Sequence, residues 1–260
     1  MTTEHEGWAR HLEAARRSGT LLGADDRPWT SLSVGDGYAV QSCGLAHRLA
    51  EGERLAGWKM GFTSLAKMRQ MNLDAPIAGY LLASMDVPEG ELDVTAYQHP
   101  KAEPEIVLRL KHDPGPTPDF LEASRAIESV CLGIEILDSR FAGYQFSLGE
   151  VLADDTSAAG YVLGSRWRAP DALDLGNLGI LMSVDGVLVE AASSAAIMDH
   201  PVRALMALAR LLDARGDQLA AGQLVLTGGI TAAHPLPPGR HVVVEAQDLG
   251  SIMLSTRTGA

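Results

Sequence analysis

Three glutamates stand where apolar strands ordinarily carry none. In "HPKAEPEIVLRL" (99–110), Glu103 and Glu105 sit two residues apart, just before Ile106, Val107 and Leu108. Side chains alternate faces along a strand, so Lys101, Glu103, Glu105 and Val107 share one face and Pro104, Ile106 and Leu108 the other. Glu135 lies in the middle of "VCLGIEILDSR" (130–140), a nearly continuous apolar run of the kind that forms a buried strand. A buried carboxylate is costly unless it is paired or holds a metal. Two chemistries meet that requirement. Either Lys101 and Lys59 neutralise the glutamates as structural pairs, or the three carboxylates bind a hard divalent cation. Mg²⁺ takes oxygen ligands in octahedral geometry at about 2.0–2.1 Å and keeps positions for water or substrate. No Cys/His cluster has zinc spacing, while Mn²⁺ is chemically compatible with the same oxygens.

The elements that must position these residues can be read from periodicity. Residues 5–18 carry Trp8, Leu12 and Ala15 at helical spacing, with Gly19 as a stop. A second helix is expected from Ser33 as N-cap to Gly52 just past its end. "LAGWKMGF" reads as a strand bearing Lys59, and "TSLAKMRQMNL" as a helix opened by Thr63 or Ser64. From about residue 76 short apolar runs recur between turn signals, with Asp185-Gly186 marking a hairpin. Helices are expected near 118–129 and 201–215. The fold class is therefore α+β: a helical N-terminal third (1–75, with a lid-like segment) followed by a mostly antiparallel β body (76–260) that carries the glutamates.

The bulk properties narrow the function classes. A chain of 260 residues with 46% hydrophobic and 21% charged residues can build a sizeable core without disulfides or a structural metal. A net charge of −12 argues against nucleic acid or an anionic membrane surface as a partner. The two cysteines, Cys43 and Cys131, lie in apolar surroundings, as in a reducing compartment. With no signal-peptide pattern and no long apolar stretch, a cytoplasmic protein is expected.

Five segments together resemble one family. "GWKMGFTSLAKMRQMNLDAPIAGYL", "HPKAEPEI", "GIEILDSR", "ADDTSAAGYVLG" and "LTGGITAAHPLPPGRHVVVEAQDLGSI" occur in the order found in the fumarylacetoacetate hydrolase superfamily. They look most like its 4-oxalocrotonate decarboxylase and 2-keto-4-pentenoate hydratase branch, and the resemblance spans essentially the whole chain. It implies a rolled, mostly antiparallel β body, Glu103, Glu105 and Glu135 as ligands of Mg²⁺ or Mn²⁺, and Lys59 as the active-site lysine. No organic cofactor is implied. "KMGFTS" and "TGGITAA" resemble the decarboxylase more than the hydratase, which implies 2-oxo-3-hexenedioate as substrate. Its 2-oxo acid end can chelate a cation, which as Lewis acid stabilises the dienolate left when CO₂ departs.

Further residues follow from the same segments. Lys101, Ser157, Gly229 and Thr231 are candidates for substrate contacts, and Asp138 for a supporting or structural role. Gly228 and Gly229 are expected to allow close backbone approach to the ligand. "TSLAKMRQMNLDAPIAG" is a candidate lid that excludes water. His99 and His200, each before proline, read as exposed or capping. The resemblance also implies a homo-oligomer and an association with a partner hydratase. The chain departs from the family pattern at four positions: Asn72 and Asp199 replace glycine, Asp155 replaces asparagine, and His234 replaces a small apolar residue. Asp155 and His234 fall in segments expected to approach the substrate. Two alternatives remain beside the decarboxylase: a hydratase acting on a dienoate, and a repurposed relative binding an enol-like ligand in a biosynthetic pathway.

Overall fold

The computed structural model describes residues 2–27, 32–64, 68 and 75–259. Helix α1 (Thr3–Ser18) is capped by Thr2, whose hydroxyl accepts the His5 N–H, and ends at Gly19 in the left-handed conformation, φ 66°. Helix α2 (Val34–Ala50) opens with a capping box in which Ser33 and Asp36 satisfy each other's amides. Trp8, Leu12, Val40, Cys43 and Phe141 bury the contact between these helices and the body in a cluster of their own.

The strands are β1 (Leu55–Gly61), β2 (Ile77–Leu82), β3 (Gly90–Asp93), β4 (Lys101–Leu110), β5 (Ile127–Leu137) and β6 (Ala158–Leu163). They continue with β7 (Gly179–Val184), β8 (Val187–Ser193), β9 (Leu224–Leu226), β10 (His234–Pro235), β11 (His241–Ala246) and β12 (Gly250–Arg257). The seven-stranded sheet runs β2-β1-β9-β4-β5-β6, with β10 also paired to β4, and the five-stranded sheet runs β3-β12-β11-β7-β8. Among the described strands only β1–β9 and β3–β12 pair in parallel, so the body is mostly antiparallel, as expected. Helices α3 (Phe120–Ala126), α4 (Leu148–Ala153) and α5 (Pro201–Asp213) interrupt the strands.

The central strands are buried on both faces: Ile106 and Leu108 of β4, and Ile134 and Ile136 of β5, are wholly inaccessible. That explains the continuous apolar runs. The helix expected over 118–129 is shorter, because Ile127 already pairs with Leu110 at the start of β5. The one expected over 201–215 stops at Asp213, three residues before the left-handed Gly216. Strand β1, from the helical first third, is hydrogen-bonded inside the larger sheet between β2 and β9. Asp185 and Gly186 form the hairpin turn with positive φ, 51° and 79°. The expected helix and lid over 63–79 fall largely on residues 65–67 and 69–74, which lie outside the described residues, as does Asn72. No helix among the described residues is long and apolar enough to cross a membrane.

Candidate active site

Antiparallel register places Glu103 of β4 directly opposite Glu135 of β5, and Glu105 faces the same side two residues along. One carboxylate oxygen from each lies within 4.8 Å of the others. Glu105 and Glu135 are fully buried and Glu103 is half-buried. β4 meets β10 at Lys101 and Ala102 and β9 at Val107–Arg109, which leaves a gap on that edge between them. The chain between β9 and β10 fills this gap: Thr227 N–H donates to Ile106 O, Ile230 N–H to Pro104 O, and Gly228 N–H to Glu105 Oε2 at 2.8 Å. Gly228 and Gly229 do permit a close approach, but to the protein itself. A methyl group on Gly229 would collide with the Glu103 carboxylate, and one on Gly228 with Thr63.

The electrostatics of this cluster are unbalanced. Glu105 Oε1 and Glu135 Oε2 have no hydrogen-bond partner among the described residues. Burial, reinforced by the neighbouring Glu135, pushes the Glu105 carboxyl well above its ordinary range, against the pull of Lys59. Lys59 reaches the cluster from β1, its ammonium 3.0 Å from Glu135 Oε1 and 3.4 Å from the Thr156 carbonyl. Burial opposes its charge, but the attraction of Glu135, Glu105 and Glu103 outweighs burial and raises its pKa. An all-oxygen set in which two buried oxygens find no partner among the described residues fits a hard divalent ion.

Beside the cluster lies a cavity of about 150 Å³, reached by Lys59, Glu103, Ser157 and Gly229. Its remaining walls include Thr63, Thr156, Tyr144 and the apolar Phe62, Ile77 and Phe146. The hydroxyls of Thr63, Thr156 and Ser157 are buried without a hydrogen-bond partner among the described residues. Phe62, Tyr144, Thr156 and Ser157 all hold positive φ, between 53° and 60°, on the walls of this one cavity. Each such residue costs of order 1–3 kcal/mol, so strain is concentrated here, as at sites that must hold groups in fixed places.

The other expected residues are distributed as follows. The Lys101 ammonium stands over the Tyr144 ring, 3.8 Å from its centroid, so it meets the cavity wall rather than the cavity. Thr231 is buried with its hydroxyl donating to Ala232 O, and it does not line the cavity. Asp138 accepts the Gln98 and His99 amides and braces the turn that leads into β4. Asp155 does not line this cavity; its carboxylate accepts the Tyr80 N–H at 2.8 Å, and with Tyr80 and Arg140 it lines a separate cavity of about 140 Å³. His234 pairs with Glu190 at 2.9 Å and is likewise absent from the cavity walls. Asp199 occupies a left-handed position, φ 65°, which is why glycine is the residue expected there. His200 caps α5, accepting the Val202 N–H, while His99 is half-buried and stacked on Tyr144. Thr63 and Thr156 escaped the sequence reading. Thr63 was read only as a helix cap, and Thr156 lay inside a quoted motif with its left-handed backbone invisible.

No family model matches the chain. It is 44% identical to a 4-oxalocrotonate decarboxylase from Pseudomonas sp over 254 residues, 95% of this chain and 96% of the relative. The chain belongs to the 4-oxalocrotonate decarboxylase and 2-keto-4-pentenoate hydratase branch of the fumarylacetoacetate hydrolase superfamily. The branch's other arm is represented by a 2-keto-4-pentenoate hydratase from Paraburkholderia xenovorans (strain LB400), 31% identical over 96% of this chain and 93% of that one. Among solved structures, the 4-oxalocrotonate decarboxylase from Pseudomonas putida G7, complexed with magnesium and adipate, superposes with TM-score 0.94 at 35% identity, covering 98% of both chains. The superfamily fold extends to a fumarylpyruvate hydrolase from Pseudomonas aeruginosa, TM-score 0.63 at 16% identity, covering 78% of this chain and 89% of that one.

Proposed function

We propose that the protein decarboxylates 2-oxo-3-hexenedioate to 2-hydroxypenta-2,4-dienoate and CO₂, using a divalent cation held by Glu103, Glu105 and Glu135. The observation that carries this reading is the buried carboxylate triad with two unpartnered oxygens, beside a buried lysine, in a chain of this branch. The magnesium and adipate bound by the Pseudomonas putida G7 enzyme support it, since adipate is a six-carbon dicarboxylate like the proposed substrate. Mn²⁺ would suit the same oxygens, and nothing in the site calls for an organic cofactor.

When bound, the cation supplies a Lewis acid for the 2-oxo acid end of the substrate, lowering the energy of the enolate that decarboxylation creates. The chain's own residues do the rest. Lys59 keeps its proton against burial, because the carboxylates favour the charge, and so offers a cation or a proton donor to the developing enolate oxygen. The unpartnered hydroxyls of Thr63, Thr156 and Ser157 can donate to a substrate carboxylate that shares their cavity. Phe62, Ile77 and Phe146 give that cavity an apolar side against which the carbon chain of the substrate can pack. The reading also carries a homo-oligomer and association with a partner hydratase. Leu181, Val187, Leu188 and Met253, exposed on the smaller sheet, offer apolar surface for such contacts.

Product analysis decides between the branch's two chemistries. Purified protein with 2-oxo-3-hexenedioate is expected to release CO₂ with Mg²⁺ and none with EDTA. Hydration of 2-hydroxypenta-2,4-dienoate, with no CO₂ from the dicarboxylate, would instead make the protein a hydratase.

A further inference from the structure

The outer edge of β2 is finished by side chains. The Tyr38 hydroxyl accepts the Ala78 N–H, the Gln41 amide donates to Ala78 O, and Asp155 Oδ1 accepts the Tyr80 N–H at 2.8 Å. The last of these contacts sits one residue from Gly79, which the β1–β2 register places directly opposite Lys59. Asp155 begins three consecutive residues with positive φ, at 49°, 53° and 60°. An isolated turn of this kind, with a β-branched threonine at its centre, is unfavourable, so something outside it must hold it. Two ties do. The Ser157 carbonyl accepts the Asp138 N–H at 2.9 Å, and the Asp155 side chain docks the other end of the turn on β2.

The docking is tight. At Gly79 any Cβ would meet Thr156 Oγ1 and the Asp155 carbonyl, so the turn lies directly against the strand. The same turn meets the site: the Thr156 carbonyl accepts from the Lys59 ammonium, and Thr156 and Ser157 line the cavity.

We infer that Asp155 is a positioning residue, fixing the Lys59 ammonium and the Thr156 and Ser157 hydroxyls through its tether to the Tyr80 amide. The inference rests on the proposed function only for what those three groups do. What the tether needs is an oxygen acceptor at this position, which the Asp155 Oδ1 supplies. Asparagine supplies the same acceptor and tolerates the left-handed backbone. Glycine accepts that backbone without strain but cannot reach Tyr80.

Two substitutions in the full-length protein test this. Asp155→Asn is expected to keep kcat and KM within about threefold. Asp155→Gly is expected to lose about 100-fold in kcat, the scale of a misplaced catalytic group, while the rise in Tm on adding Mg²⁺ stays as in wild type. A second readout is independent of turnover: the dissociation constant of oxalate measured with Mg²⁺ present should rise about tenfold in Asp155→Gly and stay unchanged in Asp155→Asn. Wild-type kcat in Asp155→Gly, or equal losses in the two variants, overturns the inference. If Asp155→Gly does not fold, Asp155→Asn decides alone, since a loss beyond tenfold in kcat contradicts a tether that asparagine reproduces. Should wild type release no CO₂, the proposed substrate fails, and the oxalate measurement still judges Asp155.

Discussion

Replacing Glu105 with glutamine should stabilise the metal-free protein and destabilise the metal-bound one. Glu105 lies within 4.8 Å of both other carboxylates, and at a pH high enough to ionise all three, each repulsion at that distance amounts to about 3.5 kcal/mol at an effective dielectric of 20. Lys59 offsets one of the two, leaving one uncompensated. Glutamine keeps an acceptor for the Gly228 N–H but a neutral one, which forfeits about 1 kcal/mol. The net gain is about 2 kcal/mol, or about 4–8 °C in Tm for a domain of this size. Mg²⁺ at a hundred times its dissociation constant should add about 2.7 kcal/mol to wild type and little to Glu105→Gln. Thermal denaturation of both proteins, in EDTA and in Mg²⁺, should therefore show their order reversing. A lower Tm for Glu105→Gln in EDTA would refute the reasoning, because it would mean that the protein already satisfies its own glutamates.

Lys59→Met should abolish turnover, measured as CO₂ release, while leaving the Mg²⁺-induced rise in Tm largely intact; near-normal kcat would remove Lys59 from the chemistry. Gly229→Ala places a methyl group on the Glu103 carboxylate and should weaken Mg²⁺ affinity at least tenfold by calorimetry, with wild-type affinity counting against Glu103 as a ligand. Asp155→Asn should stabilise the protein increasingly as pH rises. The folded state raises this carboxyl's pKa, so the acid's contribution is fully present below its ordinary 3.8 and is lost as pH climbs toward the raised value, whereas asparagine loses nothing. A Tm difference between the two proteins that is flat from pH 4 to pH 8 would show that the carboxyl is not held up.

The glutamate cluster was legible in the sequence because each clue is local. Strand alternation puts Glu103 and Glu105 on one face, and Glu135 interrupts an apolar run. That they meet depends on β4 and β5 pairing in one register, which sequence alone leaves unspecified. Lys59 was less legible. Its strand is separated from β4 by β9, formed by residues 224–226, and such long-range strand order has no local signature. Lys101 was the natural ion-pair partner on the shared face, yet Tyr144, held at φ 58°, takes its ammonium instead. The left-handed turn at 155–157 defeated the sequence reading altogether, since aspartate, threonine and serine do not announce positive φ. Asp155 falls in a segment expected to approach the substrate, yet its carboxylate accepts the Tyr80 N–H on the β2 edge.

Crystals grown with Mn²⁺ and measured at an energy where manganese scatters anomalously would test the central claim most directly. The account predicts one strong peak about 2.1 Å from an oxygen of each of Glu103, Glu105 and Glu135, lost in Glu105→Gln. A structure with manganese available but no peak among these carboxylates, and Lys59 still paired to Glu135, would contradict it.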